Sequence, residues 1–215
     1  MTSRAQIIAK SIATSLQSEI SQTSKASLVV CGGSSPIEIF SYLNLQRIDW
    51  SLVDIFLVDD RLVDPQSEHS NQILINTHLI KNNASLAKLI PLSTDLSYFN
   101  DLPKKFTVSL LGMGMDGHFA SLFPELLSKS KALTPPHPDL ESTAEPRIIT
   151  TPPLGSPLVP RISMNLSLIL KSSRIILLAN GDGKKAVLEK AETDKTLPIY
   201  YLIHQAILPI EIESL

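Results

Sequence analysis

Short apolar runs alternate with amphipathic helical segments along all 215 residues, and this alternation most constrains the fold. The runs have the length and β-branched content of buried strands, and they cover residues 27–31, 53–58, 106–111, 174–179 and 208–213. Strands that alternate with helices indicate an α/β protein with a mainly parallel sheet, and the length predicts a single domain over residues 1–215. Such sheets bind ligands beyond the carboxyl ends of their strands.

The third apolar run leads into the most informative segment of the chain. Three glycines follow within six residues, at Gly112, Gly114 and Gly117, and they allow positive φ angles and close approach to a ligand. Asp116 and His118 project from the same turn. A carboxylate beside an imidazole can fix its tautomer and orientation, and histidine titrates close enough to neutrality to act as a general base. The pair is suited to activating water.

Two other interpretations of this segment are open. The glycine spacing matches the dinucleotide-binding fingerprint, but that motif needs a long helix, a second strand and an acidic residue about twenty positions later. Here Pro124 follows within two turns, and further prolines stand at 135, 136 and 138, which breaks any clean βαβ unit. Asp116 and His118 can also be ordinary turn residues without chemistry.

The first apolar run ends in Gly32, Gly33, Ser34 and Ser35. Pro36 suits the first position of a helix, and Ser34 or Ser35 is the expected N-cap. Free backbone N–H groups at a positive helix end form an anion-binding turn. A capped strand-to-helix turn without a ligand is the equal alternative.

Polar residues follow two more of the runs. Asp59, Asp60 and Arg61 come directly after run 53–58, either as groups of a site or as a solvated loop. Ser70 is a plausible N-cap for the amphipathic helix that follows. Lys184 stands where a helix over 185–192 begins, either adding a cation to an anion site or lying on the surface.

Composition excludes several classes of protein. The net charge is −2, with 19 basic and 21 acidic residues interspersed. The chain therefore has no excess of positive charge that would favour binding to nucleic acid or to an anionic membrane. The chain begins with an amphipathic helix, not a signal segment, and no apolar run reaches membrane-spanning length. Cys31 is the only cysteine, which excludes an intramolecular disulfide and a Cys-based zinc site. These features predict a cytoplasmic protein in a reducing compartment.

Eight of the fifteen prolines fall between residues 133 and 161. This density predicts a long irregular excursion, with one plausible strand at 147–151, followed by a helix over about 164–170. Such excursions in compact domains are commonly functional loops or disordered links.

Four motifs in order resemble the 6-phosphogluconolactonase family, over roughly residues 28 to 190. They are residues 32–36, residues 59–61 with 70–71, residues 112–124, and residues 160–163 with 181–184. The most specific is Asp-Gly-His-Phe-Ala-Ser-Leu-Phe-Pro at 116–124, since the related glucosamine-6-phosphate deaminases share Asp-Gly-His but continue with Asn-Glu-Pro. The resemblance implies a Rossmann-like, mainly parallel sheet flanked by helices on both faces. It also implies hydrolysis of 6-phosphogluconolactone to 6-phosphogluconate, in the oxidative pentose phosphate pathway, without a redox cofactor.

The resemblance also implies roles for individual residues. His118 becomes the base that takes a proton from the attacking water, with Asp116 as its orienting partner. Asp59 and Arg61 line the sugar end, and either Arg61 or the glycine N–H groups face the oxyanion. The implied phosphate site consists of Gly32, Gly33, Ser34, Ser35, Arg161 and Lys184.

One departure from the family pattern concerns Asp60, which replaces the usual Glu of an Asp-Glu-Arg triplet and puts any supporting role of that carboxylate in doubt. The expected partner is a phosphosugar lactone, with no metal, cofactor, nucleic acid or membrane, and the protein is expected to be a monomer or weak homo-oligomer. The alternatives are a phosphosugar deaminase or isomerase, and a sugar-phosphate-binding protein without catalysis.

Overall fold

The structure, a computed structural model, describes residues 2–128 and 137–215. Its helices and strands follow one another as α1 (Arg4–Thr23), β1 (Ala26–Val30), α2 (Ile37–Leu43), β2 (Val53–Leu57), β3 (Asp59–Arg61), α3 (Asn71–His78), β4 (Lys88–Ile90), α4 (Leu96–Asp101), β5 (Val108–Gly112), α5 (Pro124–Ser128), β6 (Ile148–Leu154), β7 (Val159–Met164), α6 (Leu166–Ile169), β8 (Ile175–Leu178), α7 (Asp182–Ala191), α8 (Pro198–Ile203) and β9 (Ile210–Glu213).

Six strands form a parallel sheet in the order β4-β2-β1-β5-β8-β9. From β1 the chain moves outward through β2 to β4, returns to the other side of β1 with β5, and continues outward to β9. The connections therefore diverge at the carboxyl ends of β1 and β5. A crevice opens at such a point, and it is the usual ligand site of an open α/β sheet.

Helices cover both faces of this sheet, as its strand residues require. Successive strand side chains point to opposite faces, and in β1 Leu28 and Val30 join the core formed with α1, α2 and α3. Val29 and the following Cys31 join a second core, formed with α6, α7 and α8. Because both faces of the central strands are apolar, both must be buried. The predicted α/β fold with a mainly parallel sheet is confirmed.

Helix α1 shows how the sequence pattern becomes packing. Ser3 is the N-cap, and its hydroxyl accepts a hydrogen bond from the Gln6 N–H at 3.2 Å. The amphipathic pattern predicted for this segment is confirmed, because the apolar residues at 8, 12, 16 and 20 are buried at a spacing that keeps them on one face. Ile7 lies off this face and is exposed. None of the helices in the described ranges is both long and apolar enough to cross a membrane.

The proline-rich region corrects two predictions. The strand predicted at 147–151 is present as β6, which begins at Ile148 and extends to Leu154. It forms an antiparallel hairpin with β7 in place of a mostly irregular excursion, and β7 also pairs with β3. The charged triplet at 59–61 is thus a strand and not a loop. Pro152 and Pro153 lie in β6, which is an edge strand of this three-stranded sheet, so their missing N–H groups are tolerated. The predicted helix over 164–170 is shorter, Leu166–Ile169, and the part of the excursion at 133–136 lies outside the described residues.

Candidate active site

A cavity of about 320 Å³ occupies the crevice beyond β1 and β5. The parallel sheet contributes the segments that follow β1, β5 and β8, and the small sheet contributes β3 and β7. Every predicted site residue except Asp116 lines the cavity: Gly32, Gly33, Ser34, Ser35, Asp59, Arg61, His118, Arg161 and Lys184. Positions far apart in sequence are therefore gathered at one place, as the strand order predicts.

Asp116 reaches the cavity through His118. Its Oδ1 lies 2.6 Å from the imidazole Nδ1 and also accepts the backbone N–H of His118 at 3.2 Å. Partial burial alone raises the pKa of Asp116, but the hydrogen bond and charge of His118 outweigh it and leave the pKa below its ordinary value. The carboxylate stays ionised and engages Nδ1, which leaves Nε2 as the nitrogen free to exchange a proton.

Backbone packing fixes the turn that carries this pair. A Cβ on Gly114 would lie 2.2 Å from His118 Nδ1 and 2.4 Å from Asp116 Oδ1, so only glycine leaves room for the two side chains to meet. Gly117 has a φ of 78°, and its carbonyl accepts the Ile199 N–H at 2.8 Å, which ties the turn to α8.

Asp59 is a buried carboxylate of the cavity lining. Its Oδ2 accepts the Ser121 hydroxyl at 2.6 Å. Burial raises the pKa of Asp59, and the hydrogen bond from Ser121 and the charges of Arg61 and Arg161 offset this only in part. The proton is therefore held more tightly here than on an exposed aspartate.

Arg61 and Asn71 form the centre of a second network. Arg61 Nη1 donates to Asn71 Oδ1 at 2.9 Å and to the His69 carbonyl at 3.0 Å. Asn71 Nδ2 donates to the Asp59 carbonyl at 2.8 Å, which joins α3 to β3. The guanidinium is thus oriented by neutral acceptors, and its positive charge is not cancelled by them.

Asp60 has a structural position outside the cavity lining. Its Oδ1 accepts the backbone N–H groups of Asn71 at 2.6 Å and Arg61 at 2.8 Å, and its Oδ2 accepts the Ser70 hydroxyl at 3.1 Å. A carboxylate at the first turn of α3 complements the helix dipole. The shorter acid therefore anchors the start of α3.

Arg161 is 4% exposed and lies opposite Arg61 in the pairing of β3 with β7. Its Nε donates to the Leu154 carbonyl at 3.0 Å, and Nη2 donates to two carbonyls of the hairpin turn, at 3.2 and 3.3 Å. The guanidinium carbon also lies 5.2 Å from the centre of the Phe123 ring. Burial and the neighbouring charge of Arg61 both lower the pKa of Arg161, and two adjacent cations favour an anion between them.

Lys184 and the turn after β1 meet in the cavity lining. The Lys184 ammonium donates to Ser35 Oγ at 3.0 Å, and burial lowers its pKa. The predicted capping of α2 is wrong, because the helix begins at Ile37 with Pro36 in the cap position and no side-chain cap bond. The Ser35 hydroxyl instead contacts a cation, as a ligand-binding group would.

Sequence reasoning missed several residues of the site. Asn71 and Ser121 lie within two of the family motifs but were given no role in the site, although both are buried polar residues that hold Arg61 and Asp59. The signal for Ser121 was a polar residue within the apolar part of the segment after His118. Cys31 also lines the cavity, and burial raises the pKa of its thiol to about 12, so it is not a nucleophile at neutral pH.

Comparison with known proteins identifies the family. A family profile described as glucosamine-6-phosphate isomerases/6-phosphogluconolactonase matches residues 2–208. The 6-phosphogluconolactonase of Rhizobium meliloti (strain 1021) is 31% identical over 222 residues, which cover 97% of this chain and 92% of that protein. The 6-phosphogluconolactonase of Neisseria meningitidis serogroup B is 33% identical over 199 residues, with coverages of 87% and 83%.

Comparison with solved structures indicates the same family. A 6-phosphogluconolactonase from Shewanella baltica OS155 has a TM-score of 0.82 and 33% identity, over 98% of this chain and 92% of that chain. A monomeric glucosamine-6-phosphate deaminase has a TM-score of 0.70 over 98% and 92% of the two chains, and its 16% identity indicates a shared fold alone. On the profile match and the identity of its relatives, the chain belongs to the 6-phosphogluconolactonase family.

Proposed function

We propose that the protein hydrolyses 6-phosphoglucono-1,5-lactone to 6-phosphogluconate. The observation that carries the proposal is the 2.6 Å contact between His118 and Asp116 at a cavity that also gathers Arg61, Arg161 and Lys184. A base next to clustered cations fits a substrate that needs an activated water and carries a phosphate dianion. The 6-phosphogluconolactonases of 31% and 33% identity support the same reaction.

In the proposed reaction, Nε2 of His118 takes a proton from a water molecule while the water oxygen attacks the lactone carbonyl carbon. Asp116 stabilises the imidazolium that forms. The tetrahedral intermediate carries an oxyanion, for which Arg61 and the glycine N–H groups are the candidate donors. Collapse breaks the bond between the carbonyl carbon and the ring oxygen, and the imidazolium returns its proton to that oxygen.

The phosphate is proposed to bind the turn after β1 together with Lys184 and Arg161. Gly33, with a φ of 77°, lets this turn present backbone N–H groups, and the contact between Lys184 and Ser35 puts a cation beside them. Asp59 and Arg61 are proposed to line the sugar end. We also propose that the chain acts as a single cytoplasmic domain, as a monomer or weak homo-oligomer, without a metal or cofactor.

The test is the rate of 6-phosphogluconolactone consumption against its spontaneous hydrolysis at neutral pH, with and without EDTA. The expected result is a large acceleration that EDTA does not change. Loss on chelation and recovery with zinc would contradict the metal-free mechanism. Ammonia release from glucosamine 6-phosphate, without lactone hydrolysis, would favour the deaminase alternative.

A further inference from the structure

Asn71 is a buried polar side chain of the cavity lining. It is 2% exposed, and both of its terminal atoms are used: Oδ1 accepts from Arg61 Nη1 at 2.9 Å, and Nδ2 donates to the Asp59 carbonyl at 2.8 Å. Its backbone N–H is held by Asp60 at 2.6 Å. One residue of α3 is therefore locked onto all three residues of β3.

The turn after β1 also depends on this side chain. A Cβ on Gly32 would lie 1.9 Å from Asn71 Oδ1, so the amide occupies the space that any other residue at 32 would need. Asn71 thus stands between the anion-binding turn and Arg61, and it contacts two parts of the cavity that come from different sheets.

We infer that Asn71 is a positioning residue that orients Arg61 toward the reacting end of the substrate while leaving its charge intact. This inference rests on the proposed function. Nη1 of Arg61 has two acceptors, the Asn71 amide and the His69 carbonyl, and both are neutral. An aspartate in the same place would orient the guanidinium and also neutralise it, so a neutral amide suits an arginine that must stabilise a developing negative charge.

A double-mutant cycle tests the inference. Asn71→Ala, Arg61→Ala and the double variant are compared with the wild type by kcat and KM for 6-phosphogluconolactone, and by calorimetric binding of 6-phosphogluconate. If Asn71 acts through Arg61, Asn71→Ala lowers kcat/KM by about ten- to a hundredfold in the wild type. In the Arg61→Ala background the same change costs less than about twofold, since residues that act together are not additive.

Two further variants separate positioning from folding. Asn76→Ala removes an exposed asparagine from the same helix and should keep wild-type kinetics and melting temperature. Asn71→Asp keeps the shape and the acceptor for Arg61, adds a negative charge beside Arg61 and loses the donor to the Asp59 carbonyl. It should lower kcat, and its melting temperature, compared with that of Asn71→Ala, which loses the same donor, shows whether the protein still folds.

The outcomes are distinguishable. Equal losses from Asn71→Ala in both backgrounds would overturn the inference, since a structural role is additive with loss of Arg61. A wild-type protein that does not hydrolyse the lactone would overturn the proposed function alone, because the binding cycle still measures whether Asn71 and Arg61 are coupled. Wild-type kinetics for Asn71→Asp would contradict the argument from charge.

Discussion

Asp116 and Asp59 are two carboxylates of one site in opposite environments. Asp116 lies in the loop after β5 and is half exposed, and its partner His118 leaves its pKa below the ordinary value. Asp59 lies on β3 and is 7% exposed, and burial raises its pKa despite a hydrogen bond and two nearby arginines. The first environment favours the ionised form, and the second disfavours it.

The difference follows from how each region is built. The loop after β5 is held by backbone contacts of glycines, which leave its side chains free to meet each other and solvent. In β3, side chains are placed by strand pairing and buried beneath the hairpin, so a charge there loses solvation. Titratable groups pushed in opposite directions within one cavity are typical of acid and base roles. The loop thus supplies an ionised partner for a base, and the strand supplies a carboxyl whose pKa lies above its ordinary value.

The largest expected effect on activity is at His118, in the loop after β5. His118→Asn should lower kcat by about two to four orders of magnitude, the usual contribution of a general base, because asparagine is nearly the same size but cannot accept the proton from water. Stopped-flow or pH-stat rates on the lactone measure this change.

Binding of 6-phosphogluconate serves as its control. It should remain close to wild type, since the proposed phosphate contacts lie at other residues. A variant with unchanged turnover would remove His118 from the chemistry.

The next largest effect is expected at Gly114, whose missing side chain leaves room for the contact between His118 and Asp116. Gly114→Ala puts a methyl group 2.2 Å from His118 Nδ1, so the imidazole and Asp116 must separate. We expect a loss of about a hundredfold in kcat/KM, the cost of a misplaced catalytic group.

Gly112→Ala is the matched substitution in the same segment. Its methyl would meet only Cys31 Sγ, at 3.4 Å, an ordinary contact distance, so its loss should be much smaller. Equal losses for the two alanine variants would mean that the pair does not depend on Gly114.

The two regions also differ in how well the sequence predicts them. Strands β1, β2, β5 and β8 were predicted because continuous runs of apolar and β-branched residues are typical of strands that are buried on both faces. The Asp116–His118 contact was expected because the two residues are only two positions apart in the same turn. β3 was missed because its three charged residues have no strand pattern of their own. They become a strand only through pairing with β7, a hundred residues later.

The strand predicted at 147–151 stops short of the end of β6, and β7 was missed, because the prolines at 152, 153 and 160 argue against a strand. The long-range contacts of the site were equally hidden. No local sequence pattern indicates that Ser121 donates a hydrogen bond to Asp59, or that Asn71 accepts one from Arg61, because each pair is separated along the chain. Most of the predicted residues do line one cavity, while the contacts that hold them had to come from the structure.

The third prediction concerns the two cations of the proposed phosphate site. Lys184 contacts Ser35 beside the turn after β1, whereas Arg161 lies opposite Arg61 in the small sheet. Alanine at either position should cost roughly 1.5 to 3 kcal/mol of 6-phosphogluconate binding, the range for a charge-assisted contact, as measured by calorimetry.

Unphosphorylated gluconolactone tells whether each contact belongs to the phosphate. A residue that touches only phosphate should not affect hydrolysis of this substrate. If Arg161→Ala slows both lactones by the same factor, Arg161 acts at the reacting end or in the fold, and the assignment of the phosphate site fails for that residue alone.

The smallest expected effect is on stability and has opposite signs for the two carboxylates. The pKa of Asp59 in the folded protein lies above its ordinary value of 3.8, so the ionised form destabilises the fold above that value, and stability recovers as pH falls through the raised pKa. Asp59→Asn removes this cost and keeps an acceptor for the Ser121 hydroxyl, so it should raise the free energy of unfolding at pH 7 by about 0.5 to 2 kcal/mol.

The gain in the free energy of unfolding should shrink as the pH of the denaturant melts is lowered toward 4. Asp116→Asn should give no gain at pH 7, because its carboxylate is stabilised in the folded state. A melt in which Asp59→Asn is less stable than the wild type at pH 7 would show that the buried carboxylate helps to hold the small sheet, and the contrast between the two regions would then not extend to stability.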